Sequence, residues 1–226
     1  MIILTGASGG IGKEMLHGLS KLDNVVGIYN DTMPDLNANK EILFQQLNLC
    51  DEVGINSFIE ENKSSLKDIT VVHAAGVSED SLAMNHDKDK WENVIKVNLT
   101  ANFLLTKALI PLMLEQKWGR IINFSSIRVS AGTLSYSTTK HGLLGMSKVL
   151  AKEYAKFDIT SNSLILGAFN TGMFQVLKDK VKNEMINQIP SKKLGDVNNI
   201  VNAVKFLIDS PFVNGASIRI DGGASV

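Results

Sequence analysis

Four side chains in this sequence have the types and spacing to move a proton to or from a carbonyl oxygen. Tyr136 and Lys140 stand four residues apart, which on a helix puts them on one face. A lone phenol titrates at about pH 10, and an ammonium beside it favours phenolate and brings the group toward a useful range. The same ammonium can hold ribose hydroxyls. Ser126 ends an apolar run at 121–124 and offers its hydroxyl to a carbonyl oxygen, with Ser125 as the alternative in a different strand register. Asn98 lies inside a helical pattern where asparagine is a mediocre helix former. An inward-facing Asn98 would serve either a water relay behind Lys140 or a hydrogen bond between helices.

A second group of residues suits a dinucleotide. The stretch Thr5-Gly6-Ala7-Ser8-Gly9-Gly10-Ile11-Gly12 follows an apolar run and leads into a helix pattern of Met15, Leu16 and Leu19. Gly6, Gly10 and Gly12 let the backbone turn tightly and approach a phosphate, and the helix N-terminus presents free N–H groups there. Thr5 and Ser8 can add hydroxyl donors. A glycine-rich turn that only packs tightly would use the same residues; the strand before and helix after favour the phosphate site. The next strand ends Ile28-Tyr29-Asn30-Asp31. An acidic acceptor there suits the free 2′-hydroxyl of NAD(H), whereas NADP(H) would favour a nearby basic residue. Asp31, and Gly9 in place of a base in the loop, lean weakly toward NAD(H). Lys13 would reverse that lean by turning back to the ribose. Together these features point to hydride exchange between a nicotinamide and a carbonyl or alcohol.

Positioning such a site requires alternating strands and helices. Apolar runs at 2–5, 25–29, 43–47, 69–73, 120–124, 163–166 and 217–220 read as buried parallel strands. The segments between them have helical periodicity, as in Trp91, Val94, Ile95, Asn98, Leu99 and Asn102. Asp23-Asn24, Asn30-Asp31, Gly119 and Asp221-Gly222-Gly223 read as turns. The expected fold is α/β: a single Rossmann-type, doubly wound parallel sheet of about seven strands with helices on both faces, formed by residues 1–226 as one domain.

Composition narrows the partners. The 23 basic and 23 acidic side chains balance, so no overall field draws in nucleic acid or a membrane surface. Cys50 is the single cysteine, which excludes an internal disulfide and suits a reducing compartment. No apolar stretch reads as long as the roughly 20 residues of a membrane span, and Met1 leads into Ile2-Ile3-Leu4 without a basic leader. A cytoplasmic protein is expected.

These residues carry a resemblance to the short-chain dehydrogenase/reductase family across essentially the whole chain. The loop is similar to that family's Thr-Gly-x-x-x-Gly-x-Gly, His73-Ala74-Ala75-Gly76 to its Asn-Ala-Ala-Gly, and Asp221-Gly222-Gly223 to its C-terminal Asp-Gly-Gly. Asn98, Ser126, Tyr136 and Lys140 fall on its catalytic tetrad. The nearest likeness within it is to 3-oxoacyl-acyl-carrier-protein reductases, through residues 75–82, 91–103 and 189–195. The resemblance implies strand order 3-2-1-4-5-6-7, hydride transfer at a carbonyl/alcohol pair and a homotetramer. Its substrate would be a small molecule, carried on acyl carrier protein or CoA in that subgroup. It also implies cofactor contacts from Asn48, Leu49, Ala74, Ala75, Gly76, Gly167, Phe169 and Thr171, in addition to the loop residues, Asn30, Asp31, Tyr136 and Lys140.

The chain departs from the family's pattern in several places. His73 replaces Asn, where a satisfied structural histidine is expected; Asn48 replaces an Asp that receives the adenine amino group, and its amide oxygen can still accept. Leu166-Gly167 replaces Pro-Gly. Ten residues separate Ser126 from Tyr136, a few fewer than usual. That shortening would open the pocket or move Ser126, and it brings in Arg128, which would meet an acidic substrate group or remain solvated. Met173, Phe174, Val176 and Leu177 resemble a substrate lid or an ordinary helix core. Residues 85–90 read as a solvated helix entrance.

Overall fold

Runs of Ile, Val, Leu and Phe become strands wherever they are short, and amphipathic segments become helices between them. The computed structural model describes residues 1–34, 42–171, 174 and 178–225. Its elements are β1 (Ile2–Thr5), α1 (Gly10–Leu19), β2 (Val25–Tyr29), β3 (Ile42–Gln46), α2 (Glu52–Asn62), β4 (Thr70–His73), α3 (Lys88–Ile95) and α4 (Ala101–Gln116). They continue with β5 (Gly119–Ser126), α5 (Leu134–Tyr154), β6 (Ile159–Leu166), α6 (Asp179–Gln188), α7 (Val197–Asp209) and β7 (Ser217–Ile220).

All seven strands are parallel and lie in the order β3-β2-β1-β4-β5-β6-β7. The order reverses between β1 and β4, so a crevice opens above their carboxyl ends, where such sheets bind ligands. Period-two alternation sends Ile2, Leu4, Val72, Ile122 and Leu164 to one face, against Met15 and Leu16 of α1 and Ile200 and Val204 of α7. Ile3, Val71, Ile121 and Ile159 point to the other face, against Ile55 of α2 and Leu105 and Leu109 of α4.

The sequence expectations need three corrections. First, β6 begins at Ile159 rather than residue 163. Its first half, Ile159-Thr160-Ser161-Asn162, is fully buried yet polar, because its side chains find partners far along the chain: Asn162 Nδ2 donates to the Val213 carbonyl at 2.8 Å and Ser161 Oγ meets Ser147 Oγ at 3.0 Å. Second, Gly119 is not a turn residue but the first of β5; the turn falls at Lys117, with φ of 53°. A side chain at position 119 would meet Met113 Sδ at 2.6 Å, so packing selects glycine there. Third, Lys88–Gln116 is long and apolar enough to cross a membrane by composition. Here Leu105, Leu109 and Met113 cover the sheet, and the polar Asn98, Asn102 and Thr106 are buried with them, as in a core helix.

Candidate active site

The glycine loop closes over the carboxyl end of β1. Gly6 has φ of +68°, and a Cβ there would lie 2.7 Å from Ala75 Cα; at Gly12 it would lie 2.2 Å from the Gly6 carbonyl oxygen. Loop, helix and the Ala74–Ala75 backbone are therefore nested at distances that only glycine permits. Gly9 caps α1 with no side-chain hydrogen bond, leaving the first-turn N–H groups around Gly10, Ile11 and Gly12 for a ligand. Ser8 is exposed beside them. The cradle fits a pyrophosphate. Thr5 does not supply a donor to it: its Oγ1 is buried and accepts from the N–H groups of Ala74 and Ala75, both at 3.1 Å. Thr5 instead fixes the β4 turn against β1.

The rest of the dinucleotide crevice is less uniform. Asn30 and Asp31 are exposed after β2, and the Asn30 carbonyl accepts from Gln46 Nε2 at 2.8 Å. Asn48 is exposed; its Oδ1 already accepts from the Cys50 N–H at 2.9 Å, leaving one lone pair beside half-buried Leu49. Gly167 is pressed against β7: its N–H donates to the Ile220 carbonyl at 3.0 Å, and a Cβ would lie 2.7 Å from Asp221 Cα. Phe169 is buried in the core with its ring against Gly195, so only its main chain faces the crevice. Thr171 is buried and lines a cleft of about 730 Å³ with Glu14, Asn170, Ile186 and Lys192; none of the four proton-transfer residues lines it. Of the lid candidates Phe174 is buried, and Met173, Val176 and Leu177 lie outside the described residues.

Ser126, Tyr136, Lys140 and Asn98 come together at the carboxyl ends of β4 and β5. Ser126 pairs in register with Leu166 of β6, and its hydroxyl acts on the Tyr136 phenol. Ser126 Oγ accepts from the Arg128 N–H at 3.1 Å, so its own proton remains available to an oxygen in front of it. Ser125 points the other way and donates to the Lys140 carbonyl at 2.8 Å. The register thus selects Ser126 and makes Ser125 an anchor for α5. The short loop after Ser126 is tied down at both ends: the Ser137 hydroxyl donates to the Arg128 carbonyl, and the Ser81 N–H donates to the Gly132 carbonyl, both at 2.8 Å.

Lys140 is buried, with Nζ 5.7 Å from the centre of the Tyr136 ring and donating to the Phe124 carbonyl at 2.9 Å. Burial lowers its pKa to about 8. Burial raises the Tyr136 pKa above the ordinary phenol value; the Ser126 hydroxyl and the Arg128 charge oppose that rise, and Asp80 adds to it. The Arg128 charge thus acts on the phenol from the β5–α5 loop, as far from the ring centre, at 5.7 Å, as the Lys140 ammonium to which the sequence points.

Asn98 sits in a π-helical turn, Lys96–Thr100, between α3 and α4. Its amide clamps the loop after β4: Oδ1 accepts from the Val77 N–H at 2.8 Å, and Nδ2 donates to the Val77 carbonyl at 2.9 Å and to Thr139 Oγ1 at 3.1 Å. A Cβ on Gly76 would lie 3.2 Å from Asn98 Oδ1 and 3.4 Å from Lys140 Nζ. The Asn98 side chain thus holds the Gly76–Val77 turn beside Lys140, with one Oδ1 lone pair left over. His73 is fully buried under this group, its Nε2 2.9 Å from Thr106 Oγ1, while its Nδ1 is buried with no hydrogen-bond partner, so the histidine is only half satisfied where a fully satisfied one is expected. Neighbouring Asn123 and Ser163, on the same row of β5 and β6, are buried too, a polar layer no sequence motif announced.

The chain matches the family model for short chain dehydrogenases over residues 1–182. It is 33% identical to the 3-oxoacyl-acyl-carrier-protein reductase of Aquifex aeolicus, covering 98% of this chain and 95% of that one. It is 32% identical to the enzyme of the same name from Escherichia coli K12, with the same coverage. Nodulation protein G of a Rhizobium species is 30% identical over 99% of this chain and 96% of its own. Among solved structures, one named for a proposed gluconate dehydrogenase of Agrobacterium tumefaciens superposes with a TM-score of 0.90 over 100% of this chain and 95% of that one; at 23% identity it speaks for the fold.

Proposed function

The chain belongs to the short chain dehydrogenase family and is an NAD(P)-dependent oxidoreductase; from that premise we propose that it reduces the ketone of a 3-oxoacyl thioester to the secondary alcohol. The observation that carries this reading is the convergence of Ser126, Tyr136 and Lys140, with the Lys140 ammonium 5.7 Å from the centre of the Tyr136 ring. The substrate class is supported by the names of relatives that align along almost the entire chain.

The bound nicotinamide would supply a hydride to the carbonyl carbon. Tyr136 gives its proton to the oxygen as negative charge builds there, and a phenol kept protonated by burial suits that direction. Ser126 donates a hydrogen bond to the same oxygen and stabilises the charge. Lys140 has donors left after its bond to Phe124, which suit ribose hydroxyls and the return of a proton to Tyr136. Asn98 sets the place of Gly76 and Lys140. The glycine loop and the α1 N-terminus hold the pyrophosphate. The lean toward NAD(H) that Asp31 suggests is not supported by the relatives the chain aligns with, and both dinucleotides are to be tried. An assembly such as the homotetramer implied by the resemblance would cover exposed Phe103 on α4 and Val149 on α5.

A second reading is a dehydrogenase of a sugar, polyol or cyclic alcohol, favoured by the short β5–α5 loop, which is pinned to Ser81. A cofactor-sensing protein without turnover is disfavoured by the convergence of Ser126, Tyr136 and Lys140. Fluorescence titration with NADH and NADPH, followed by rates on acetoacetyl-CoA and on a panel of sugars and secondary alcohols, decides among the three. Turnover of acetoacetyl-CoA well above the panel supports the first reading; tight binding without any turnover supports the last.

A further inference from the structure

We propose that Arg128 and Asp80 are paired positioning residues for Tyr136, with the guanidinium over the phenol ring and the carboxylate as its counterweight. The proposal rests on the catalytic reading of Tyr136 given above. Arg128 belongs to the short β5–α5 loop, and its guanidinium carbon lies 5.7 Å from the centre of the Tyr136 ring. Its main-chain N–H donates to Ser126 Oγ at 3.1 Å, so the residue touches both partners of the Ser126–Tyr136 pair. From the opposite wall, in the loop after β4, Asp80 forms an ion pair with the Arg128 guanidinium, and Ser78 Oγ accepts from Nη1 at 3.2 Å. Ser78 also donates to Asp80 at 2.7 Å, fixing the carboxylate. The two loops are further joined by the hydrogen bond from the Ser81 N–H to the Gly132 carbonyl.

The charged groups that face Tyr136 are then three: Lys140 from its own helix, Arg128 from the β5–α5 loop and Asp80 from the β4–α3 loop. Arg128 favours the phenolate and Asp80 disfavours it. The pair is about half exposed, so its own stability is modest, roughly 0–1 kcal/mol for such contacts. Its effect lies in where it puts the two charges. Within a partly screened site the Arg128 guanidinium, 5.7 Å from the ring centre, and its paired carboxylate each act on the phenol's ionisation, in opposite directions.

A purely structural strap and an electrostatic one differ in a measurable way. Removing either partner breaks the same ion pair, so a strap that only holds the loops gives the same change in both variants. A field acting on Tyr136 gives opposite changes. The experiment is a phenolate absorbance titration of the full chain, with the Tyr136→Phe spectrum subtracted so that Tyr29 and Tyr154 cancel. Far-ultraviolet circular dichroism reports the fold at each pH. Arg128→Gln should raise the Tyr136 midpoint, Asp80→Asn should lower it, and the double variant should return close to wild type. The rise of alcohol oxidation with pH, which follows deprotonation of Tyr136 as base, should shift in the same directions. Equal-sign shifts, or no shift in either single variant, overturn the proposal. Opposite shifts in absorbance with no substrate turnover would uphold this proposal and count against the catalytic reading instead.

Discussion

Replacing His73 with the asparagine that related sequences carry there should make the protein less sensitive to acid. The imidazole is fully buried between β4 and α4, and burial, followed by the Lys140 charge, lowers its pKa from 6.5 to about 3. In the folded state it stays neutral down to about pH 3, while in the unfolded chain it takes up a proton below 6.5. The unfolded state thus binds more protons between those values, so stability is full above 6.5 and falls as the pH drops toward 3. At pH 4.5, two units below the unfolded value, the loss from this one residue is about 2.7 kcal/mol, at 1.36 kcal/mol per unit. In a chain of this size that is a drop of roughly 5–11 °C in Tm. The measurement is urea unfolding of wild type and His73→Asn at pH 7.0 and pH 4.5. Carboxylate titration is common to both proteins and cancels in the difference. Wild type should lose about 2–3 kcal/mol more than the variant over that interval. An equal loss in both, repeated with His73→Gln, would refute the reasoning.

Three further substitutions probe the site's construction. Gly12→Ala drives a Cβ to 2.2 Å from the Gly6 carbonyl oxygen, so the loop must shift; dinucleotide Kd should rise by about ten-fold or more, read by fluorescence titration. Asn98→Ala removes the clamp on Val77 and Thr139. Exposed Val77 can turn to water and buried Thr139 cannot, so stability should fall by about 1–3 kcal/mol in urea unfolding. Lys140→Met should abolish turnover while leaving Tm at pH 7 equal to wild type or higher. The folded-state pKa of Lys140, about 8 against an ordinary 10.5, means that below pH 8 the fold carries a penalised buried charge, on the order of 3 kcal/mol, which methionine lacks. A lower Tm in a scanning experiment would count against that assignment.

Legibility of the fold followed local chemistry. The glycine loop, its flanking strand and helix, and the Tyr136–Lys140 spacing were readable because each depends on residues close in sequence. The strand order came from resemblance and agrees with the sheet. What stayed hidden depended on distant partners. The first half of β6 was missed because its polar side chains find partners in α5 and near β7, which periodicity does not see. The π-helical turn at Asn98 has the same apolar spacing as an α-helix, so the widening that turns the amide toward Val77 leaves no trace in sequence. Thr5 was read as a phosphate donor because its capture by Ala74 and Ala75 requires β4 to lie beside β1. The packing of the Phe169 ring against Gly195, 26 residues away, likewise leaves no trace in local sequence. Arg128 and Asp80 lie on different loops 48 residues apart, and only the folded sheet brings them over the phenol.

The claim on which the account rests is that the Tyr136 hydroxyl transfers the proton. Tyr136→Phe removes that one oxygen from a half-buried side chain and leaves the glycine cradle untouched. Steady-state turnover should fall by roughly 10²–10⁴ or more, while the Kd for the preferred dinucleotide stays within a few-fold of wild type. Near-normal turnover in Tyr136→Phe on the best substrate found would contradict the account.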